Sequence, residues 1–310
     1  MAVMSYAEAS RAAIAEEMRR DPTVWAVGED LGRGGVFGQY KGLVEEFGPE
    51  RIADAPISEA CIMGAAVGAA MMGTRPIVEL RFSDFALCAI DELVNQAAKA
   101  RYMFGGQGRV PLVVREPIGM WRSSAAQHSQ SLEGWYTHIP GLVVLAPATP
   151  ADNKGLLKAA IRCDDPVVYL EHKHLWPLEG DVPDGDHLVE IGKARVVRAG
   201  QDITIVSWSA AVHTCLAAAK TLAKERIDAE VIDLRSLALG QDDGAGERGE
   251  DGPPARRARG GAGRRLRRRD RRDSCRARAF CAQGPSETPR RAARANQLCA
   301  QPGGPGTRDR

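Results

Sequence analysis

The sequence predicts an α/β fold: a parallel sheet covered by helices, then a truncated second α/β unit and a disordered tail. Three observations predict it. Up to about residue 237, short Val/Ile/Leu runs alternate with segments of helical apolar spacing, the pattern of strands buried on both faces of a sheet. A polar stretch containing Pro and Gly, residues 176–187, then interrupts that alternation. Beyond about residue 238 the core-forming side chains almost disappear.

The elements follow in order. Residues 6–20 (YAEASRAAIAEEMRR) have helical spacing, and VWAVG at 24–28 reads as a buried strand. Ser58 is placed to cap a helix that runs through the small apolar stretch to residue 72, and PIVEL at 76–80 is the next strand. FALCAIDELVNQAAKARYMF, 85–104, predicts one long amphipathic helix before the strand PLVVRE at 111–116. LVVLAPA (142–148), a helix over 151–162 and PVVYLE (166–171) complete the first unit. The second unit has DITIVSW (202–208), a helix over 210–225 and AEVIDL (229–234), one β-α-β unit before the pattern stops.

Bulk properties exclude several classes. At 310 residues the chain can bury a large core and divide into two domains. No run approaches the roughly 18 uncharged residues of a membrane span. The N-terminus lacks signal-peptide features and is too acidic for a transit peptide, with Glu8, Glu16 and Glu17 soon after Met1. Seven cysteines without metal-ligand or disulfide-like spacing suit a reduced compartment, and the expected location is a bacterial cytoplasm. The net charge of +2 averages two unlike pieces. Residues 241–310 hold 18 Arg, no Lys and 9 acidic residues, whereas residues 1–240 carry 24 basic against 31 acidic side chains.

Three residues stand out as chemistry. Glu59 heads DAPISEACIMGAAVGAAMMG, a stretch otherwise almost wholly small and apolar. Two readings stay open: a carboxylate favoured by the helix dipole, worth about 0.3–1 kcal/mol, or a desolvated carboxyl held in its protonated form. The second draws on Gly64 and Gly68, a small-residue face that lets another backbone approach closely. His128, in AAQHSQS after the loop GMWRSS, is either structural or faces a cleft. Phe85, after Ser83 and Asp84, is core packing or a site residue.

DAPISEA, FSDFALCAIDELVNQAAK, AAQHSQS, WYTHIPGLVVLAPATPADNKGLLKAAIRCDDPVVYLEHK and DITIVSWS together resemble the β subunit of 2-oxo acid dehydrogenase E1 components, from about residue 3 to 237. These are thiamine-diphosphate enzymes acting on pyruvate, branched-chain 2-oxo acids or, in a close relative, acetoin. The resemblance implies a pyrimidine-binding domain over 3–175, a linker over 176–195, an incomplete transketolase C-terminal-like domain over 196–237 and a tail over 238–310. It implies that Glu59 hydrogen-bonds the ring nitrogen of the cofactor's aminopyrimidine, that Phe85 packs against that ring and that Glu29 lies near it. It gives His128 a place facing the 2-oxo acid and a role in acyl transfer. It implies a potassium ion on the main-chain carbonyls of Leu112, Ala160, Ile161, Cys163 and Asp165, with Cys163 replacing a more usual aspartate.

An absence refines this expectation. The family's magnesium-diphosphate segment, Gly-Asp-Gly followed some residues on by Asn, has no counterpart in residues 1–240. The resemblance therefore implies a separate α subunit in an α2β2 assembly that shares the thiamine diphosphate and holds the magnesium, and a lipoyl-bearing E2 acyltransferase as acceptor. Pyruvate is the favoured substrate, as in the acetyl-transferring type. The alternatives are the acetoin-cleaving or branched-chain relative, or an inactive fragment with an anion-binding tail. That tail has a single aromatic residue, Phe280, among its 18 arginines, which argues against nucleic acid. Its Arg/Gly/Ala/Pro composition is what a GC-rich gene read out of frame yields, so the chain as written is expected to be inactive.

Overall fold

The computed structural model describes residues 1–35 and 37–240; the tail expected over 238–310 lies almost wholly outside the described residues. In chain order the elements are β1 (Ala2–Ser5), α1 (Tyr6–Arg20), β2 (Val24–Gly28), α2 (Leu43–Phe47), β3 (Ile52–Asp54), α3 (Glu59–Met71) and β4 (Arg75–Glu79). There follow α4 (Ala98–Met103), β5 (Val113–Ile118), α5 (Glu133–Tyr136), β6 (Val143–Leu145), α6 (Pro150–Arg162), β7 (Val167–His172) and β8 (Glu179–Val182). The last elements are β9 (Arg195–Arg198), β10 (Ile203–Ser207), α7 (Ala211–Lys224), β11 (Ala229–Asp233) and β12 (Ser236–Leu239).

Seven strands form the main sheet in the order β12-β6-β7-β5-β4-β2-β3. Every pairing is parallel except β12 on β6. Alternate residues serve opposite faces. Ile77, Val113, Val143 and Val167 join α1 and α6 in one core, while Val78, Val114, Val144 and Val168 join α3 in the other. That two-sided burial is why these strands read as continuous apolar runs. Local signals start the two helices of the first core. Ser5 and Glu8 form a reciprocal capping box on α1, and Thr149 caps α6 with Pro150 in its first turn.

On the α1/α6 face, near the carboxyl ends of the strands, Arg115 is fully buried. Its Nη1 lies 2.7 Å from Glu79 Oε2 and its Nη2 2.7 Å from Glu171 Oε2. Tyr40 OH donates to Glu79 (3.1 Å) and Ser10 Oγ to Glu171 (2.8 Å). The guanidinium thus ties β4, β5 and β7 together from below.

Several expectations need correction. The segment 85–104 is not one α-helix. It begins as a 3-10 helix over Ser83–Ala89, passes through a π-helical stretch over Glu92–Ala97 and ends as α4. Ala86, Ala89, Leu93, Ala97 and Ala100 are buried at spacings that a single α-helix would also give, so the changes of pitch leave no mark on the apolar pattern. Ser58 stands at the N-cap of α3 as expected, but its hydroxyl donates to the Pro56 carbonyl (2.9 Å) and makes no cap hydrogen bond. Residues 176–195, expected as a linker, contain β8, which pairs antiparallel with β1. Residues 236–239, where the pattern was expected to stop, add an antiparallel edge strand to the main sheet. Along α3, nothing lies within 4 Å of a Cβ placed on Gly68, and only Glu92 Cγ, at 3.6 Å, lies near one placed on Gly64. Within the described chain no backbone uses that face.

The second unit is small. β10 pairs parallel with β11, β11 antiparallel with β9, and α7 packs on one face. Its buried apolar core is Cys215, Ala219, Ala229 and Val231. Among the described residues no helix is long and apolar enough to cross a membrane, and no two of the four cysteines form a disulfide with one another.

Candidate functional site

In open parallel sheets, ligands bind outside the carboxyl ends of the strands, and there β2, β4, β5 and β7 bring the singled-out residues together. β2 and β4 approach so closely that a Cβ at Gly28 would sit 2.6 Å from the Glu79 carbonyl oxygen. This leaves the next residue, Glu29, beside the extension of β4. Arg81 Nε lies 2.9 Å from Glu29 Oε2, and its Nη2 donates to Asp30 Oδ2. Glu29 is buried, and burial is the main cause that raises its carboxyl above the usual range. Arg81 opposes that rise, and the carboxylate of Glu59 adds to it. Glu59, half-buried at the first position of α3, therefore stands within electrostatic reach of Glu29.

One residue beyond Arg81, an aromatic cluster begins. The rings of Phe82, Phe85 and His128 meet edge to face, with centroids 5.5 Å (Phe82–Phe85), 4.8 Å (Phe82–His128) and 5.3 Å (Phe85–His128) apart. Lys173, just past β7, places its ammonium 4.5 Å from the Phe82 ring centre and donates to the His128 carbonyl. Phe37, Trp121 and Trp176 extend the aromatic wall from Phe82.

The loop carrying His128 is held in an unusual path. At Gly119 φ is +81°, and a Cβ there would lie 2.2 Å from His172 Nε2, so only glycine fits. Arg122, Ser123 and Ala125 also have positive φ, a conformation that side chains resist and that clusters at functional sites. The loop base is closed by Gly119 N–H on the Gln130 carbonyl (3.0 Å), and Ser129 Oγ donates to the Ala125 carbonyl (2.7 Å). His128 ends a short 3-10 turn, Ala126–His128. Beneath it, burial, aided by His174 and Lys173, lowers His172 to about 4 and keeps that ring neutral at physiological pH.

Thus Phe85 and His128 touch, Glu59 lies within electrostatic reach of Glu29, and the consecutive residues Arg81 and Phe82 join the two halves. A buried carboxyl, a second carboxyl and an aromatic platform suit a flat heteroaromatic ring with polar edges, such as an aminopyrimidine. The residues expected to hold potassium lie apart, near the amino ends of β4, β5 and β7. The Leu112 carbonyl accepts from Val167 N–H (2.8 Å) and the Ala160 carbonyl from Cys163 N–H (3.1 Å). The carbonyls of Ile161 and Cys163 converge on Arg75 Nη1, at 3.1 and 2.9 Å. The cation they face is the guanidinium, and a potassium ion would have to share them. The fifth residue, Asp165, pairs its side chain with Arg101 (2.7 Å). Among the described residues no cluster of three or more His, Cys, Asp or Glu is placed to hold a metal.

Arg81, Phe82 and Lys173 were not singled out in the sequence. The available signal was their place immediately after apolar strands, in ELRFSDF and VVYLEHK, where a charged residue on an otherwise buried path needs a partner.

Comparison with known proteins gives two family matches: the transketolase pyrimidine-binding domain over residues 2–178 and the transketolase C-terminal domain over residues 192–243. The acetoin:2,6-dichlorophenolindophenol oxidoreductase subunit beta of Cupriavidus necator is 50% identical over 237 residues, covering 73% of this chain and 70% of that protein. The 2-oxoisovalerate dehydrogenase subunit beta of Bacillus subtilis is 47% identical over 239 residues, covering 76% and 73%. A mitochondrial pyruvate dehydrogenase E1 component subunit beta-2 of Oryza sativa subsp. japonica is also 47% identical, covering 76% of this chain and 64% of that one. Among solved structures, a split-gene transketolase, described as an inactive β4 tetramer, superposes with a TM-score of 0.62 at 24% identity, covering 75% of this chain and 72% of that one. That likeness concerns the fold.

Proposed function

The chain belongs to the transketolase pyrimidine-binding family, within it to the E1 β subunits of 2-oxo acid dehydrogenases, and from that premise we propose that it is the β subunit of an α2β2 E1. In this reading the assembly decarboxylates a 2-oxo acid, pyruvate favoured, and passes the acyl group to the lipoyl group of an E2 partner. The observation that carries the reading is the convergence of Glu29, Glu59 and Arg81 with Phe82, Phe85 and His128 at one end of the sheet. With it goes the absence of a Gly-Asp-Gly segment from residues 1–240. The site offers the pyrimidine half and leaves the diphosphate and its magnesium to the α subunit. Thiamine diphosphate, when bound, supplies the carbanion chemistry.

This chain's residues orient and tune that cofactor. The Glu59 carboxyl meets a nitrogen of the pyrimidine ring in a hydrogen bond. Glu29, kept largely from water and braced by Arg81, supports Glu59 from the side. Phe85 presents an aromatic surface to the ring, and Phe82 and Lys173 hold both Phe85 and His128 in place. His128 faces the substrate side, where it can give or take a proton.

The test is co-expression with an α subunit, thiamine diphosphate and magnesium, scoring decarboxylation of pyruvate, branched-chain 2-oxo acids and acetoin. Acetoin enters on the same footing because a relative named for it is 50% identical. Glu59→Gln is expected to lose on the order of 10²–10⁴ in rate, while His128→Ala retains cofactor binding and loses turnover. No turnover of any of the three substrate classes by a version of the chain restored to frame beyond residue 237 would sink the reading.

A further inference from the structure

The loop that carries His128 is held firmly at its base and hardly at all at its tip. Between Met120 and Gln127 only Trp121 and Ser124 are half-buried; the others are exposed. Ser124 uses its hydrogen bonds inside the loop, from its N–H to the Trp121 carbonyl (3.1 Å) and from its hydroxyl to the His128 carbonyl (3.3 Å). Among the described residues no hydrogen bond or ion pair joins residues 120–125 to any part of the chain outside the loop. The tip is therefore fixed by the ring of Trp121, whose aromatic neighbours outside the loop are Phe37 and Trp176.

Phe37 is where these contacts converge. Its ring centre lies 4.4 Å from Trp176, 5.3 Å from Trp121 and 5.9 Å from Phe82, nearly perpendicular to the last two. It thus touches both the loop tip and the ring on which His128 leans. The turn that carries Phe37 starts directly after Glu29 and is closed by its own bonds. Gly35 N–H donates to the Asp30 carbonyl (2.9 Å), Tyr40 N–H to the Gly34 carbonyl (2.8 Å) and Phe37 N–H to Gln39 Oε1 (2.9 Å). Tyr40, fully buried, pins the turn from below: its hydroxyl donates to Glu79 (3.1 Å) and accepts from Arg115 Nη1 (3.3 Å). A ring on so fixed a turn can fix what it touches, and the buried charge network under the sheet is its footing.

We propose that Phe37 is a positioning residue for His128, coupling the turn over residues 30–42 to the loop over residues 119–130. Lys173 and Phe82 hold the histidine end of that loop, and Phe37 holds its tip through Trp121. One aromatic wedge thereby keeps the turn that follows Glu29 and the loop that presents His128 in a single frame. Without the ring, the left-handed residues Arg122, Ser123 and Ala125 have nothing outside the loop to hold them in that conformation, and the tip relaxes.

That this histidine works on a 2-oxo acid rests on the proposed function; the coupling of turn and loop does not. The experiment uses the full-length chain alone, with NMR of its aromatic side chains and timed trypsin digestion. The wild-type chain should show a direct proton–proton contact between the Phe37 ring and the Trp121 indole, and a His128 ring signal displaced by the currents of Phe82 and Phe85. In Phe37→Leu that signal moves toward the position of an exposed histidine, and cleavage after Arg122 speeds up on the order of tenfold. Phe37→Tyr, which keeps the ring, retains both wild-type values. His213, bonded to the Ala148 carbonyl, reports the fold and does not move. Trp121→Ala gives the same acceleration, and combining it with Phe37→Leu adds nothing further. An absent ring-to-ring contact in the wild-type chain overturns the proposal even where a variant does not fold. So does a Phe37→Leu chain with an unshifted His128 signal, or accelerations that multiply in the double variant. No readout needs an α subunit or turnover, so a failed decarboxylation assay counts against the function and leaves the coupling standing.

Discussion

The seven-stranded and three-stranded sheets are made from the same strand–helix–strand unit, yet they bury their residues very differently. In the large sheet every residue of β5 is buried, with apolar cores on both faces. In the small sheet α7 covers one face, and the core is four residues. Val196, Ile203 and Val206 remain 53%, 43% and 44% exposed. The strand sequences are equally rich in β-branched residues, so the difference lies in what covers them. A bare β-branched face can be told from a buried one only by counting the helices available to each side. The large sheet, doubly covered, can also hold charge in its interior, and it does so around Arg115.

The largest expected effect tests that interior charge. Arg115→Met removes the cation that faces Glu79 and Glu171 and leaves two uncompensated buried carboxylates. Losing one partner of such a group costs about 3–5 kcal/mol. Chemical denaturation of the full-length chain measures it, and a loss below ~1 kcal/mol would show that the network does not brace the sheet.

The next effect depends on pH. The Glu116 carboxyl is raised from 4.5 to about 8, so the folded state binds its proton more tightly than the unfolded state. The stability it contributes is fully present below the unfolded value and is lost as pH climbs through 8. Glu116→Gln has no such loss. Its stability relative to wild type is therefore expected to grow between about pH 4.5 and 8, by a few kcal/mol, and to level off above. A pH-independent difference between the two chains would contradict the buried neutral acid.

Smaller changes probe the small sheet. Val231→Ala opens a cavity in its four-residue core and is expected to cost about 1–3 kcal/mol. Faster amide exchange in β10 and β11, with β5 unchanged, would localise the loss. Val196→Thr and Val206→Thr alter the uncovered face and should change stability by less than ~0.5 kcal/mol. Static light scattering should show less self-association for both. A large stability loss would mean that this face is covered after all.

The sheet was readable because strands buried on two sides are continuous apolar runs of fixed length, and VWAVG, PIVEL and PVVYLE are three of them. The order of those strands and the pitch changes between Ser83 and Met103 were not readable, since apolar spacing alone tolerates several helical periods. At the site, Glu29, Glu59, Phe85 and His128 were picked out by motif and resemblance. What holds them was not visible. Lys173 reaches the His128 carbonyl across 45 residues of sequence, and no local pattern encodes such a pairing. The twisted path of Arg122, Ser123 and Ala125 was hidden too, because none of these residue types marks a left-handed conformation.

The edge strand Ser236–Leu239 gives the fold a clasp. The chain leaves the large sheet after β7, pairs β8 with β1, builds the small sheet and returns, laying Ser236, Ala238 and Leu239 against Leu145, Val144 and Val143. Backbone bonds from Ala146 to the Arg235 carbonyl (2.9 Å) and from Gly240 to the Leu142 carbonyl (3.0 Å) close both ends of it. His213 adds a hydrogen bond to the Ala148 carbonyl (2.8 Å). A protease that nicks the exposed turn Asp184–Gly185–Asp186 would therefore sever the polypeptide without parting its two halves. The nicked chain should run as two fragments under denaturing electrophoresis and elute as one particle in native gel filtration, its halves fastened by a strand instead of a peptide bond.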